Sequence, residues 1–323
     1  MRAISVERTG GPEVLVERER PDPRPSDGEL LVRLGAAGVN FIDTYHRSGL
    51  YPRTLPFTLG VEGAGVVEAV GAGVEDFAPG DTVAWADGSS GSYAELVTVP
   101  VARAVPVPDG LDARGAAAVL LQGLTAHFLS HDTYPLAAGS RCLVHAAAGG
   151  VGLLLVQMAK AAGAEVFATV GSAEKGDLAR AAGADHVIRY RDEDFGAAVE
   201  RIAGPNALDV VYDGVGRATF ERGLDVLRPR GVLVTFGNAS GPVDPVAPLT
   251  LMAKGSLFLT RPTLHHYVAT TDELRARAGD VLGAVAAGRL EVRVGATLPL
   301  RETRRAHELL EGRATTGKVL LVP

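Results

Sequence analysis

The 323-residue chain has little of several residue types, and each shortage excludes a class of protein. Its single cysteine, Cys142, rules out an intramolecular disulfide and is expected to be a small buried hydrophobe in a core strand. A formal net charge of -6 leaves no excess of positive charge, so a nucleic-acid partner is not indicated. No apolar run approaches the roughly 20 residues that cross a bilayer, and residues 1–8 do not open a secretory signal. These absences favour a cytoplasmic globular protein.

Glycine, in contrast, is plentiful, and the stretch 141–160 contains its most informative cluster. Residues 141–147 form a predicted apolar strand, and residues 151–160 place apolar side chains on one face at helical spacing. Between them, the pattern Ala147-x-Gly149-x-x-Gly152 is a dinucleotide-binding fingerprint with alanine in its first position. Such a turn lets a diphosphate approach bare backbone, where the first N–H groups of the helix and its dipole favour negative charge.

The surroundings of this turn distinguish a dinucleotide site from an ordinary glycine-rich turn of another α/β protein. A second predicted strand at 165–170 follows the helix at the distance that a βαβ unit requires. Further strands are predicted at 187–188, 208–212 and 231–236, and helices at 173–182 and 217–227. This alternation predicts a doubly wound parallel sheet.

The chain is long enough for two domains. Residues 1–122 are predicted to form a β-rich, barrel-like domain, because short apolar runs there are separated by turns containing proline and glycine. Residues 123–262 carry the alternation of strands and helices. Residues 263–323 are predicted to return to the first domain, with helices at 272–287 and 302–311 and a last strand at 319–322.

The end of the second strand indicates which dinucleotide is preferred. A site for NAD would carry Asp or Glu there, about 20 residues beyond the glycine turn, to accept from the ribose 2′-hydroxyl. The chain has Gly171 and Ser172 instead, which leave room and a hydroxyl donor, and Lys175, whose charge suits a 2′-phosphate. Glu174 is the acidic residue of this stretch, and from the first turn of its helix it can point to solvent. NADPH is therefore the expected cofactor.

Several motifs resemble those of the medium-chain dehydrogenase/reductase superfamily, and more closely its zinc-free, NADPH-dependent quinone oxidoreductases related to zeta-crystallin. The likeness runs from Gly10 to the C-terminus. Its motifs lie at 38–45, 47–52, 60–67, 78–83, 123–126, 145–152, 211–213 and 317–318. The resemblance implies a doubly wound parallel (Rossmann) sheet inserted in a GroES-like barrel domain. It also implies hydride transfer from NADPH to quinones or similar conjugated carbonyls without a metal.

The resemblance implies the residues of the site as well. Catalytic candidates that line the nicotinamide and substrate pocket are Asn40, Tyr45, Tyr51 and Thr125. Asn40 is expected to donate to the developing oxyanion and either tyrosine to donate or stack, although both tyrosines could equally be wall residues. Cofactor contacts are expected from Asn40, Thr125, Ala148, Gly149, Gly150, Val151, Gly171, Ser172, Lys175, Tyr190, Gly214, Val215, Phe236, Gly237, Asn238, Ser240, Phe258, Thr260 and Arg313. Asp213 follows the wrong strand to hold a ribose and is expected to be structural.

The chain lacks the zinc ligands of other members of the superfamily. In the zinc-using alcohol dehydrogenases of the superfamily, a cysteine stands at the position of Asn40 and a histidine at that of Val61. Four closely spaced cysteines for a structural zinc are missing too. The eight histidines show no H-E-x-x-H spacing, and the pair His265-His266 is expected to lie on the surface. No metal is expected.

Two other functions fit the same residues: an enal or enone reductase of the same superfamily, and a non-catalytic, crystallin-like NADPH-binding protein. No Ser-His-Asp arrangement or pair of carboxylates indicates hydrolysis. Residues 255–261 are predicted to be an apolar edge strand of the nucleotide-binding sheet, and such an edge invites pairing with another chain. We expect a homodimer through this strand, as the resemblance also implies. The competing interpretation is a monomer whose C-terminal helices cover the edge.

Overall fold

The computed structural model describes all 323 residues, which form two compact units. The first unit combines Met1–Leu124 with Val268–Pro323, and the second is Thr125–Tyr267. The predicted boundaries, at 122/123 and 262/263, fall a few residues before those of the units. The chain leaves the first unit once and returns to it, because its last strand is needed to complete the first unit's large sheet.

The first unit is built on two sheets. A three-stranded sheet has the order β2-β1-β4, and a seven-stranded sheet has the order β15-β16-β3-β5-β6-β8, with β7 also paired to β3. Residues from both sheets, such as Ile4, Val32 and Trp85, share one buried apolar core. The strands are β1 (Arg2–Val6), β2 (Leu15–Glu19), β3 (Glu29–Val39), β4 (Phe57–Thr58), β5 (Glu62–Val70), β6 (Thr82–Ala86), β7 (Leu96–Pro100), β8 (Val105–Pro106), β15 (Val294–Pro299) and β16 (Lys318–Val322).

A short helix, α1 (Phe41–Ser48), lies where the sequence indicated only strands and turns. Its eight residues make only about two turns, and contacts at both ends stabilise them. The Asp43 carboxylate accepts from the backbone N–H of Asn40 at 2.8 Å, and Gly49 ends the helix at φ 83°, a left-handed conformation that glycine adopts without strain. The other helices that begin in this unit are α2 (Ala113–Phe128), α9 (Thr271–Ala286) and α10 (Thr303–Glu311).

The second unit contains a six-stranded sheet in which every paired strand is parallel. Its order is β11-β10-β9-β12-β13-β14, which is the 3-2-1-4-5-6 order of the Rossmann fold. The strands are β9 (Arg141–Val144), β10 (Glu165–Val170), β11 (His186–Arg189), β12 (Leu208–Asp213), β13 (Leu227–Thr235) and β14 (Phe258–Thr260). The predicted doubly wound sheet and β-rich first domain are therefore confirmed as the fold class.

Helices connect these strands: α3 (Gly150–Ala161), α4 (Ala173–Ala181), α5 (Phe195–Ala203), α6 (Phe220–Asp225), α7 (Pro248–Ala253) and α8 (Leu264–Tyr267). The helix predicted at 217–227 is shorter than expected, because Gly216 and Arg217 remain in the loop that follows β12 and Leu227 already belongs to β13. None of the helices in the chain combines the length and apolar character needed to span a membrane.

Both faces of the parallel sheet are buried, as expected when helices cover both sides. Leu143, Phe167 and Leu233 pack on one face with Phe195 and Phe220 from the helices. Cys142 is 0% exposed on the other face, and burial raises the pKa of its thiol to about 12. The cysteine is a small core residue, as predicted, and does not carry thiolate chemistry.

Candidate functional site

The glycine turn between β9 and α3 has the backbone that a diphosphate site requires. Ala146 has a φ of 51°, and its carbonyl oxygen accepts from the backbone N–H of Gly149 at 2.9 Å. A β-carbon on Gly152 would overlap that carbonyl oxygen and lie 2.7 Å from the Cα of Ala147, so only glycine fits there. The helix α3 starts at Gly150 with the first N–H groups pointing out of its N-terminus.

This turn lies where the strand order of the sheet reverses. β9 has β10 on one side and β12 on the other, so the connections that follow β9 and β12 leave in opposite directions. Ligands of open α/β sheets bind at such a reversal, outside the carboxyl ends of the strands. Ala148, Gly149, Gly150 and Val151 follow β9 at this place.

The loops that follow β12 and β13 are joined to each other. The Ser240 hydroxyl donates to the carbonyl oxygen of Val215 at 2.8 Å and accepts from the Ala218 N–H at 3.0 Å. Asp213 is 0% exposed, and it accepts from Val215 N and Gly216 N at 2.7 and 3.0 Å. Its predicted structural part is confirmed. The predicted cofactor residues in these loops are Gly214, Val215, Phe236, Gly237, Asn238 and Ser240.

Residues that follow β10 and β11 meet at the same edge, because Val170 pairs with Arg189 in parallel register. A β-carbon on Gly171 would lie 2.7 Å from the Tyr190 hydroxyl and 3.7 Å from Nε of Arg191. Ser172 caps α4 by accepting from the backbone N–H of Lys175 at 3.3 Å. Glycine, a capping hydroxyl, a phenol and a guanidinium therefore occupy the place where an NAD site has its carboxylate, and Lys175 lies in the first turn of the adjoining helix α4. Arg191 was missed from the sequence, although its neighbour Tyr190 was predicted from the family resemblance.

Phe258 and Thr260 lie on β14, the edge strand, where Phe258 is 60% exposed. The sequence-predicted strand at 255–261 is thus present but covers only three residues. Thr125 lies on α2 and belongs to the second unit. Arg313 belongs to the first unit, where it is exposed just after α10 with a φ of 55°.

The first unit holds Asn40 in a dense buried network. Its Nδ2 donates to the carbonyl oxygen of Gly38 at 3.2 Å and to Oε2 of Glu62 at 2.8 Å. Its Oδ1 accepts from Nε2 of Gln122 at 3.2 Å and from Nζ of Lys318 at 3.0 Å. Both amide hydrogens are engaged, so Asn40 has none left for a substrate oxygen in this conformation. The sequence-based expectation that it donates directly to the oxyanion is therefore not met by this geometry.

Tyr45 and Tyr51 form an aromatic pair next to this network. Their ring centroids are 5.2 Å apart in an edge-on arrangement, and the Tyr51 N–H donates to the Tyr45 carbonyl oxygen at 3.1 Å. Tyr45 is 9% exposed and Tyr51 is half-buried. The two rings, inclined at 64° to each other, together provide an apolar wall.

The helix that carries Tyr45 also carries a buried acid. Asp43 is 0% exposed, and burial raises its pKa to about 7 although the Asn40 N–H and the Tyr93 hydroxyl both donate to its Oδ2. Its Oδ1 has no hydrogen-bond partner, which is the position where a proton would reside. On the same helix, burial lowers the pKa of His46 to about 4, so this histidine is neutral at pH 7.

Comparison with known proteins gives a consistent result along the chain. Residues 26–109 match the alcohol dehydrogenase GroES-like domain, and residues 150–276 match a family described as zinc-binding dehydrogenase. A quinone oxidoreductase of Pseudomonas aeruginosa is 48% identical over 97% of both chains. A crystal structure of Escherichia coli quinone oxidoreductase complexed with NADPH is 44% identical over 100% of both chains, with a TM-score of 0.98. A 2-haloacrylate reductase of Burkholderia is 40% identical over 99% of this chain and 98% of its own.

The zinc that one of these descriptions implies does not fit the residues present. No three residues among His, Cys, Asp and Glu are grouped so that they could hold a metal ion. Val61 is buried and apolar, and the oxygen of Asn40 faces the ammonium group of Lys318, a fixed cation that would repel a metal. His265 and His266 are exposed, as predicted.

Full-length identity of 44–48% to quinone oxidoreductases agrees with the topology of both units and with the glycine turn at the strand reversal. The resemblance deduced from the sequence motifs is thereby confirmed. The chain belongs to the quinone oxidoreductase family of the medium-chain dehydrogenase/reductase superfamily.

Proposed function

We propose that this protein is an NADPH-dependent quinone reductase that works without a metal. The observation that carries this proposal is the match, over the whole chain and at a TM-score of 0.98, to a quinone oxidoreductase solved with NADPH. The glycine turn, with its close approach at Gly152, is the local feature that fits the cofactor. When bound, NADPH supplies a hydride from C4 of its nicotinamide.

In the second unit, the chain's own residues bind and select the cofactor. The first N–H groups of α3 are proposed to hold the diphosphate, assisted by the positive end of the helix dipole. Lys175, Tyr190 and Arg191 are proposed to contact the 2′-phosphate, because the Tyr190 hydroxyl and the Arg191 guanidinium lie beside Gly171 and Lys175 lies in the first turn of α4. The loops after β12 and β13 are proposed to hold the nicotinamide half.

In the first unit, Asn40, Tyr45 and Tyr51 are proposed to form the wall against which the quinone ring lies. A quinone carbonyl is already electrophilic, so positioning and hydrogen bonding to the developing oxyanion suffice for its reduction. The Tyr51 hydroxyl, on a half-buried side chain, is proposed to donate to that oxygen. Asn40 is proposed to hold the wall in place, because all its hydrogen-bonding capacity is used internally.

Oxidation of NADPH by the purified protein, followed with and without a small benzoquinone or naphthoquinone, tests this function. We expect quinone-dependent oxidation of NADPH, with NADH a poorer donor. Absence of quinone-dependent turnover in the presence of bound NADPH would instead favour a non-catalytic binding protein. Binding of NADPH is measured separately by fluorescence so that the two cases can be told apart.

A second function, reduction of a conjugated carbon–carbon double bond, is supported by the 40% identity to 2-haloacrylate reductase. The same hydride donor and oxyanion donor serve an activated alkene, since the carbonyl or carboxylate again receives charge in the transition state. An assay with enones, enals and 2-chloroacrylate beside the quinones ranks the two functions by kcat/KM.

We propose further that the working unit is a homodimer. β14 is paired only on one side, to β13, and its Phe258 is 60% exposed. Leu249 and Met252 on α7 of the same unit are 69% and 62% exposed. An open apolar edge beside exposed large side chains favours pairing with a second copy, related by a two-fold axis. A cytoplasmic location is also proposed, since the single buried thiol fits a reducing compartment.

A further inference from the structure

A charged pair lies fully buried in the first unit, between the ends of β16 and β5. Lys318 is 1% exposed and Glu62 is 0% exposed, and their side chains form a salt bridge through Nζ and Oε2. Lys318 is one of only four lysines in the chain; the other three, Lys160, Lys175 and Lys254, are exposed or half-buried. Taking such a pair out of water is costly, and a buried pair often stabilises a protein no more than apolar residues would. Its presence therefore calls for a role other than stability.

The pair surrounds the amide of Asn40. Glu62 Oε2 accepts from Asn40 Nδ2 at 2.8 Å, while Lys318 Nζ donates to Asn40 Oδ1 at 3.0 Å. A carboxylate beside the nitrogen and an ammonium beside the oxygen permit only one orientation of the amide, because a flipped amide would face like charges and lone pairs. The other oxygen of Glu62 accepts from the Leu121 N–H on α2 at 2.7 Å, which fixes the carboxylate itself.

The backbone beside the pair leaves space for it. A β-carbon on Gly38 would overlap Oε2 of Glu62 and come within 2.7 Å of Nζ of Lys318. Any side chain at position 38 would thus displace the two charged groups. Residues 38–40 belong to one of the motifs of the family resemblance. The glycine at position 38 of that motif is explained by the space that the Lys318–Glu62 pair needs.

The effect of the pair continues into helix α1. Asn40 is the residue before the first turn of α1, and its backbone N–H donates to Asp43. Tyr45 lies one turn further on the same helix and packs against Tyr51. The residue whose amide the pair orients is therefore also the residue at which the helix that carries Tyr45 begins.

We propose that Lys318 and Glu62 are positioning residues of the reductase: they hold the Asn40 amide in one orientation and thereby set the wall formed with Tyr45 and Tyr51. This inference rests on the proposed quinone reduction. Neither charged residue touches the substrate, since both are buried; they act through Asn40.

The test is the double variant Lys318→Met/Glu62→Gln, which removes both charges at nearly constant shape and leaves no unpaired buried charge. We expect kcat for a benzoquinone to fall about tenfold to a hundredfold, because misplaced groups lower turnover far more than they weaken cofactor binding. The KM for NADPH should stay within about twofold of the wild-type value. An unchanged kcat in a folded double variant overturns the proposal.

Two further sets of variants distinguish an effect on the position of Asn40 from a general loss of protein stability. The matched control, Lys160→Met/Asp185→Asn, removes a partly exposed ion pair from the second unit and should leave kcat unchanged. Adding Asn40→Ala to the double variant should lower kcat much less than Asn40→Ala does in the wild-type protein, since the pair acts through that amide. Equal losses in the two backgrounds count against the proposal.

A measurement on the wild-type protein keeps the inference testable even if the double variant fails to fold. The chain has three asparagines, Asn40, Asn206 and Asn238, so the side-chain amide signals in an NMR spectrum are few and Asn40→Ala identifies its own. We expect slow solvent exchange of the Asn40 side-chain hydrogens; fast exchange overturns the proposal. Wild-type turnover is measured first, so that inactivity of every protein counts against the proposed function and not against the pair.

Discussion

Replacing Lys175 by alanine should weaken NADPH and leave NADH almost unchanged. The lysine lies in the first turn of α4, next to the Ser172 cap and at the edge where Gly171 meets Tyr190. A charge-assisted hydrogen bond contributes about 1.5–3 kcal/mol. Because Lys175 is only half-buried, water and salt screen it, and we take the lower end, about 1.5 kcal/mol. This corresponds to about tenfold weaker binding of NADPH.

Dissociation constants for both dinucleotides, from quenching of the reduced nicotinamide fluorescence or from calorimetry, measure this difference. The control is Lys160→Ala, which removes the same charge from α3, where Lys160 pairs with Asp185. It should change neither constant by more than about twofold, because an exposed ion pair contributes about 1 kcal/mol or less and lies away from the cofactor. Raising the salt concentration should reduce the NADPH preference of the wild type more than that of Lys175→Ala.

Equal weakening of NADPH and NADH in Lys175→Ala would refute the assignment, since NADH has no 2′-phosphate for the lysine to contact. An unchanged affinity for both would place the selecting charge elsewhere, with Arg191 the neighbouring cation to replace next.

Phe258→Pro should dissociate or unfold the proposed dimer, because proline removes a hydrogen-bond donor from the edge strand β14 and disturbs the pairing of that strand. Light scattering measures the mass of the wild type, and a mass of 33.5 kDa, that of one chain, would exclude the dimer. Zinc should be absent from the purified enzyme and a chelator should not reduce its activity, whereas restoration of activity by zinc would contradict the misfit around Lys318. The pKa of Asp43 is raised from 3.8 to about 7 in the folded protein, so Asp43 binds a proton more tightly in the folded state than in the unfolded state. The free energy of unfolding should therefore fall as the pH rises from about 4 through 7. Asp43→Asn should remove that part of the pH dependence of the melting temperature, and parallel curves for the two proteins would show that Asp43 does not titrate there.

Local sequence patterns were sufficient to predict the strands and the glycine turn of the nucleotide-binding unit. The apolar strand, the glycines at 149 and 152 and the next strand at 165–170 lie close together in sequence, and each follows from a short-range preference of the backbone. Gly171, Ser172 and Lys175 likewise follow their strand directly. Arg191 escaped notice because its place beside Gly171 depends on the parallel pairing of β10 with β11, which brings together segments 20 residues apart.

The sequence by itself determined the order of the strands in the second unit, their alternation with helices, the glycine turn and the family, because these depend on neighbouring residues. The tertiary structure alone decided how the Asn40 amide is held. Lys318 is 278 residues from Asn40 and 256 from Glu62 along the chain, and its position at the start of an apolar strand is typical of an exposed flanking lysine. Only the pairing of β16 with β3 brings the ammonium next to Glu62 and Asn40 in the interior, where both amide hydrogens of Asn40 are held. Burial turns these three ordinary polar residues into one mutually dependent group, since none of them can be left without its partners away from water.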